Sequence, residues 1–177
     1  MRPLTDVESC ALGVVWQKGP CTAYAVRQEF AVSSTPRWSA SAGSIYPALQ
    51  RLLKWRLVRA EEQSWGPRGK TRFSITPRGL GRLHAWVAPP FAAALGGPAF
   101  DPLRTRACFL GAMDARARRR FVREAERATR AALAQMRARE PRRPAKGDYD
   151  AFAGRGSELE LIARLAWLAE LRRFAAP

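Results

Sequence analysis

Two short stretches of the sequence carry side chains suited to molecular recognition: "SAGSIYPALQRLLK" (41–54) and "GPRGKTRF" (66–73). On a helical wheel, Ile45, Leu49, Leu52 and Leu53 fall on one arc, and Gly43, Ser44, Pro47, Gln50, Arg51 and Lys54 on the opposite one. That outer arc is small at its N-terminal end and polar or basic further along. Small residues let a backbone and the positive end of a helix approach phosphates and base edges. Gln and Arg can read bases, and Lys suits phosphate. The plainer reading is an ordinary solvated face. Pro47 removes a helical hydrogen bond if the helix starts at Ser41, and is tolerated if it starts at Ser44; the sequence leaves both starts open.

Other chemistries find little support. His84 is the only histidine and sits between Leu83 and Val87, as a partly buried structural residue would. Cys10, Cys21 and Cys108 have no metal-ligand spacing and read as reduced thiols. Neither a phosphate-cradling glycine loop nor a CxxC is present. Asp148, Asp150, Glu158 and Glu160 are close in sequence, but at a connector that would hold no fixed acid–base geometry. We therefore expect no enzyme, metal or cofactor. Lys and Arg total 31 against 15 acidic residues, a net charge of +16. Residues 1–90 hold 13 basic and 5 acidic residues, and residues 91–177 hold 18 and 10. Such an excess favours a polyanionic partner, nucleic acid before membrane. No apolar run is long enough to span a bilayer and "MRPLTDVESC" lacks a signal-peptide core, so a cytoplasmic, nucleoid-associated protein is expected.

The elements that must position these residues are readable in order. Asp6 is placed as the cap of a first helix carrying Val7, Cys10, Ala11, Val14 and Val15, which Gly19-Pro20 ends. Thr22 caps a second helix, with Tyr24, Ala25 and Phe30 as apolar bulk. The small-then-basic third helix follows. Leu57–Glu62 and Lys70–Ile75 then read as the strands of a hairpin, the second alternating with Thr71, Phe73 and Ile75 on one face. Thr76 and Pro77 start a fourth helix carrying Leu80, Leu83 and Val87, stopped by Pro89-Pro90. Three helices and a hairpin with a basic tip make a winged helix-turn-helix. In that fold the third helix enters the major groove and the hairpin reaches backbone or minor groove.

The run "SAGSIYPALQRL", then "LVRAEE" and "KTRFSITPRGLGRL", resembles the recognition helix, wing and post-wing helix of the PadR-like transcriptional regulators. "ALGVVWQKGPCTAYAVRQEF" is similar to that family's first two helices, and the resemblance covers about residues 4–88. It implies a homodimeric DNA-binding regulator, more often a repressor, that responds to small molecules. It places DNA contacts at Ser41, Ser44, Tyr46 and Arg51, and at Arg68, Lys70 and Arg72 of the wing. Arg56 and Ala23 depart from the pattern, each standing where the family usually has Gly; the first site often needs a left-handed backbone.

The mainly α chain thus divides into a DNA-binding domain at 1–90 and an α-helical dimerisation and effector domain at 91–177. In the second, Asp101-Pro102 starts a helix to about Met113, and Asp114 caps a longer one over 115–139. The arginines of that long helix read as a solvated face paired with Glu124 and Glu126 rather than as a second DNA site. Residues 140–150 read as a connector. A last helix over 157–174 carries one stripe of Leu159, Ile162, Ala166 and Ala169 and another of Leu161, Leu165, Leu168 and Phe174. Two apolar stripes need two covers: one can be the chain itself, and a second subunit is the expected cover for the other, with packing within the chain as the plainer alternative. Trp16, Trp86 and Trp167 are the candidate residues for a hydrophobic or aromatic effector, with core packing as the plainer role. The expected partners are an inverted-repeat DNA operator and a second copy of the chain. The competing function is a basic winged-helix module that binds protein or RNA; no tandem aromatics on the hairpin support base stacking.

Overall fold

The computed structural model describes residues 2–32, 42–63, 70–139 and 148–175. It resolves two compact units, Met1–Gly96 and Gly97–Pro177.

In the first unit, α1 (Asp6–Lys18) leads through the two-residue strand β1 (Cys21–Thr22) into α2 (Ala23–Val32). A 3-10 turn at Ala42–Ser44 runs into α3 (Ile45–Lys54). Then come β2 (Val58–Gln63), β3 (Lys70–Ile75), α4 (Pro77–Val87) and the single turn α5 (Ala93–Gly96). The sheet is antiparallel in the order β1-β3-β2, with Cys21 opposite Phe73 and Val58 opposite Ile75. This is a winged helix-turn-helix. Its core gathers Leu12, Val15, Val26, Phe30, Ile45, Leu49, Leu52, Leu57 and Phe73.

Local chemistry explains the boundaries. Thr5, not Asp6, caps α1: its hydroxyl accepts from the Glu8 amide and the Glu8 carboxylate accepts from the Thr5 amide. The reciprocal Thr-x-x-Glu box satisfies two end donors, where Asp6 would satisfy one. Thr22 does cap α2, accepting from the Ala25 amide at 3.2 Å. β1 escapes a periodicity argument because two residues show no alternation. Tyr24, Val87 and His84 face solvent rather than the core.

Arg56 ends the turn after α3 with φ 56°, the left-handed conformation expected of a glycine site. Ala23 is the first residue of α2 and has no positive φ, so a side chain fits there. Thr76 fastens the far end of the wing. Its amide donates to Leu57 O at 3.0 Å, its hydroxyl donates to Arg56 O at 2.8 Å, and the same oxygen caps α4 by accepting from Gly79 N. A Cβ on Gly79 would lie 2.0 Å from Leu57 O, so only glycine lets α4 approach this closely.

The second unit contains α6 (Pro102–Ala107), a 3-10 turn (Leu110–Ala112), α7 (Ala115–Arg139) and α8 (Asp148–Phe174). The helix expected from Asp101 to Met113 breaks at Ala107, and only the 3-10 turn continues it. Asp101 caps α6 through the Leu103 amide and holds Arg164 of α8 at 2.8 Å. Asp114 caps α7 by accepting from Ala117 N at 2.7 Å. α8 begins at Asp148, not at 157, so part of the expected connector is helical; residues 140–147 lie outside the described residues. Val122, Ala125 and Leu168 are buried between α7 and α8. The two stripes of α8 sort differently than expected: Ala169 is half-buried, with Leu161, Leu165 and Leu168 on the packed side, whereas Phe174 joins Leu159, Ile162 and Ala166 on the open side.

Candidate nucleic-acid interface

α3 is anchored by its apolar arc. Ile45, Ala48, Leu49 and Leu52 are buried, so Gly43, Ser44, Tyr46, Pro47, Gln50 and Lys54 face outward together. Of the two starts left open by the sequence, the helix takes the later: Ser44 is the N-cap and Pro47 lies within the first turn, where its missing N–H costs nothing. Ser44 makes no side-chain cap hydrogen bond, and no acidic residue occupies the first turn. The positive end of α3 therefore meets solvent with no carboxylate of its own, a setting that favours a phosphate oxygen. Tyr46, half exposed, supplies a hydroxyl on the same face.

Arg51 has a partner that its place on the wheel did not reveal. Its Nε donates to Oε1 of Glu8 at 2.6 Å, and Arg2 donates to the same oxygen at 2.7 Å. The second carboxylate oxygen accepts from the Thr5 amide at 2.9 Å. Glu8 is fully buried, and Arg2 also stacks 5.0 Å above the Trp55 ring at the end of α3. Burial pushes the Glu8 carboxyl up; the Thr5 amide and then the Arg51 and Arg2 guanidiniums outweigh it and hold it down at about 2. The Arg51 side chain remains 43% exposed, so its outer nitrogens still reach solvent beside Gln50 and Lys54. The Thr5-x-x-Glu8 spacing, a capping-box pattern that the expectation of Asp6 as the cap passed over, was the available sequence signal for this carboxylate.

On the wing, Arg72 is exposed on β3, opposite Glu61 of β2 and Thr22 of β1. Lys70 opens β3 in register with Gln63, its side chain outside the described residues. Ser41 and Arg68 lie outside the described residues altogether. The three tryptophans divide between the units. Trp16 on α1 and Trp86 on α4 are 53% and 45% exposed, too open for core packing, while Trp167 on α8 is half-buried. Burial pushes Cys10 up to about 12, with Asp6 adding to the shift, which leaves a protonated packing residue. Among the described residues, no cluster could hold a metal ion and no helix is long and apolar enough to cross a membrane.

Residues 11–85 match the model of the transcriptional regulator PadR-like family. No curated protein matches the sequence. Among solved structures, the fold is similar to Bacillus subtilis PadR in complex with operator DNA, at TM-score 0.81 and 16% identity over 97% of this chain and 100% of that one. It is similar to the same protein in complex with p-coumaric acid, at TM-score 0.77 and 16% identity, covering 96% and 98%. The Vibrio cholerae virulence activator AphA matches at TM-score 0.71 and 19% identity, covering 95% and 96%.

Proposed function

We propose that this chain, whose residues 11–85 match the model of the transcriptional regulator PadR-like family, is a dimeric, sequence-specific DNA-binding repressor of an inverted-repeat operator, released by a small hydrophobic or aromatic effector. The observation that carries the reading is the outward face of α3. Every large apolar side chain of that helix is turned in or half-buried except Tyr46, and what remains is small, uncapped and basic. Ser44, Gln50 and Arg51 read bases in the major groove, and Lys54 and Tyr46 meet phosphate; Ser41 is a further DNA contact by the family resemblance alone. Arg68, Lys70 and Arg72 hold the flanking backbone or minor groove.

Dimerisation through α8 is supported by its open apolar side. Tyr149, Phe152, Leu159, Ile162 and Phe174 are exposed and recur at helical spacing over about 37 Å. A monomer gains nothing by leaving such a stripe in water, and a twofold partner covers it with the same stripe. The half-exposed rings of Trp16 and Trp86 support an aromatic effector in the first unit, and Trp167 is a separate candidate in the second. Solved relatives of this fold include both a PadR bound to p-coumaric acid and an activator, so repression rather than activation is part of the proposal.

The test is retention of genomic fragments by the purified protein at moderate salt, with the DNA next to its own gene included. We expect a discrete set of fragments carrying an inverted repeat, competed by that sequence and not by its scramble. Log K should fall against log salt with a slope of about −5 or steeper if six or more phosphates are neutralised. A flat salt response would overturn the reading.

A further inference from the structure

We propose that the outer face of α7 is a second, sequence-independent docking surface for the phosphate backbone of double-stranded DNA. That the polyanion is DNA rests on the reading of this chain as a DNA-binding regulator; the surface itself does not.

The charge of the second unit is concentrated on one helix. Residues 97–177 hold 18 basic and 10 acidic residues. α7 alone has nine arginines against two glutamates, whereas α8, packed along it, has four arginines against five carboxylates. Within α7 the arginines are ordered. Arg116, Arg120, Arg123, Arg127, Arg130 and Arg137 follow steps of three, four and seven residues, which keeps them within an arc of about 100°. All six are exposed. They form one stripe spanning about 32 Å, close to the ~34 Å of a turn of duplex, with Arg119 on its margin.

The sequence led us to expect that Glu124 and Glu126 would neutralise this stripe. Glu124 does pair with Arg127. Glu126 instead turns to Arg172 of α8 at 3.7 Å, and Arg137 is matched by Glu158. Arg116, Arg119, Arg120, Arg123 and Arg130 make no ion pair with any described residue. Like charges at this spacing repel along the helix. The first turn of α7 holds no acidic residue, so its arginines also oppose the helix dipole. A helix required only to pack α8 with Val122, Ala125 and Thr129 would be better served by mixed charges.

The side-chain types select the partner. Guanidinium forks fit phosphate oxygens, and a straight row of them follows a uniform line of negative charge. No large apolar side chain of α7 is exposed, which disfavours insertion into a membrane surface and the anchored pockets of protein interfaces. Contacts to phosphate alone carry no base preference, so this face adds affinity without adding sequence information.

The full-length quadruple variant Arg119→Gln, Arg120→Gln, Arg123→Gln, Arg130→Gln tests this, since Gln matches Arg in helix propensity. Binding of a 40-base-pair duplex of scrambled sequence is followed by fluorescence anisotropy from low to high salt. If at least three of the four contact phosphate, the slope of log K against log salt should become shallower by about 3, with at least roughly tenfold weaker binding at low salt. Helical circular dichroism and sedimentation should stay unchanged. Should the quadruple variant fail to fold, Arg120→Gln with Arg123→Gln should shift the slope by about 2. A wild-type slope in the stripe variant, alongside weaker binding by a Lys54→Ala, Arg72→Ala variant, would overturn this inference and leave the winged-helix reading standing. No duplex binding by the wild-type chain would overturn both. An effect of the stripe variant on phosphatidylserine vesicles or polyglutamate, with DNA binding intact, would also refute a DNA surface.

Discussion

Arg51 of the third helix and Glu8 of the first, 43 residues apart, meet at 2.6 Å through Nε and Oε1, so the outward face of α3 is held by a carboxylate that solvent does not reach. Removing the charge from one partner of such a buried pair is strongly destabilising. Because both arginines remain partly exposed and can rehydrate, we expect Glu8→Gln to cost about 2–3 kcal/mol, below the usual range for a fully enclosed pair. The pH dependence has a definite sign. The folded carboxyl is held near 2, below its ordinary value of 4.5, so the stabilisation is present above about pH 5 and drains as pH falls toward 2. It amounts to at most about 3–4 kcal/mol, at about 1.36 kcal/mol for each tenfold change in proton affinity. Urea denaturation at pH 7, 4 and 2.5 should show this loss in the wild type and a flatter acid limb in Glu8→Gln; parallel limbs would show that the carboxylate is not held as described.

Roles should divide within the winged helix. Ser44→Ala and Arg51→Ala should relax base preference, since both lie on the outer arc of α3. Lys70→Ala and Arg68→Ala should weaken binding to all sequences more evenly, as backbone contacts do. Selection from a randomised operator library reads this directly. Altered base preference in the wing variants, with none in those of α3, would reverse the assignment.

Two backbone substitutions should move stability in opposite directions. Arg56→Gly relieves a left-handed non-glycine residue and should stabilise by about 0.5–1 kcal/mol. Gly79→Ala drives a methyl against Leu57 O and should destabilise by at least about 3 kcal/mol, with the end of the wing released from α4. Thermal melts of the two variants against the wild type check both.

If the chain dimerises through α8 as proposed, Leu159→Asp combined with Ile162→Asp should leave a monomer in sedimentation, with unchanged helical content and much weaker operator binding, because both side chains are open in one chain. Dimeric sedimentation of this variant would place the interface elsewhere.

An effector acts only by differential binding. A tenfold loss of operator affinity needs about 1.4 kcal/mol of coupling, and by reciprocity the effector must bind tenfold more weakly when operator is present. Tryptophan fluorescence titrations with a panel of hydrophobic compounds, with and without operator, measure it. Equal affinity in both conditions would show that a compound is not the signal.

Much of this was legible in the sequence, for physical reasons. The leucine arc of α3 and the Thr76-Pro77 cap are local patterns and fall where the sequence puts them, whereas the alternation of β3 holds at Phe73 but not beside it, with Thr71 exposed and Ser74 buried. The left-handed turn at Arg56 was legible only through the family resemblance. What could not be read depends on contacts between distant residues. No spacing rule links Glu8 to Arg51, and none sends Glu126 across to Arg172 rather than along its own helix. The break at Ala107 and the early start of α8 sit where propensity is nearly neutral, so packing sets the boundary. The half-exposed Trp16 and Trp86 are a related case: an apolar pattern says that a face is greasy, not that anything covers it.

The two-residue strand β1 has a mechanical consequence. By pairing Cys21 with Phe73 and Thr22 with Arg72, it makes β3 the central strand and gives the wing a second attachment, at the turn between α1 and α2. Thr22 is also the cap of α2, so a single residue belongs to both the sheet and the start of that helix. The hairpin cannot swing as a free flap. A tilt of α2 would therefore pull on β3 through Thr22, which joins the start of that helix to the wing as the pivot of one lever.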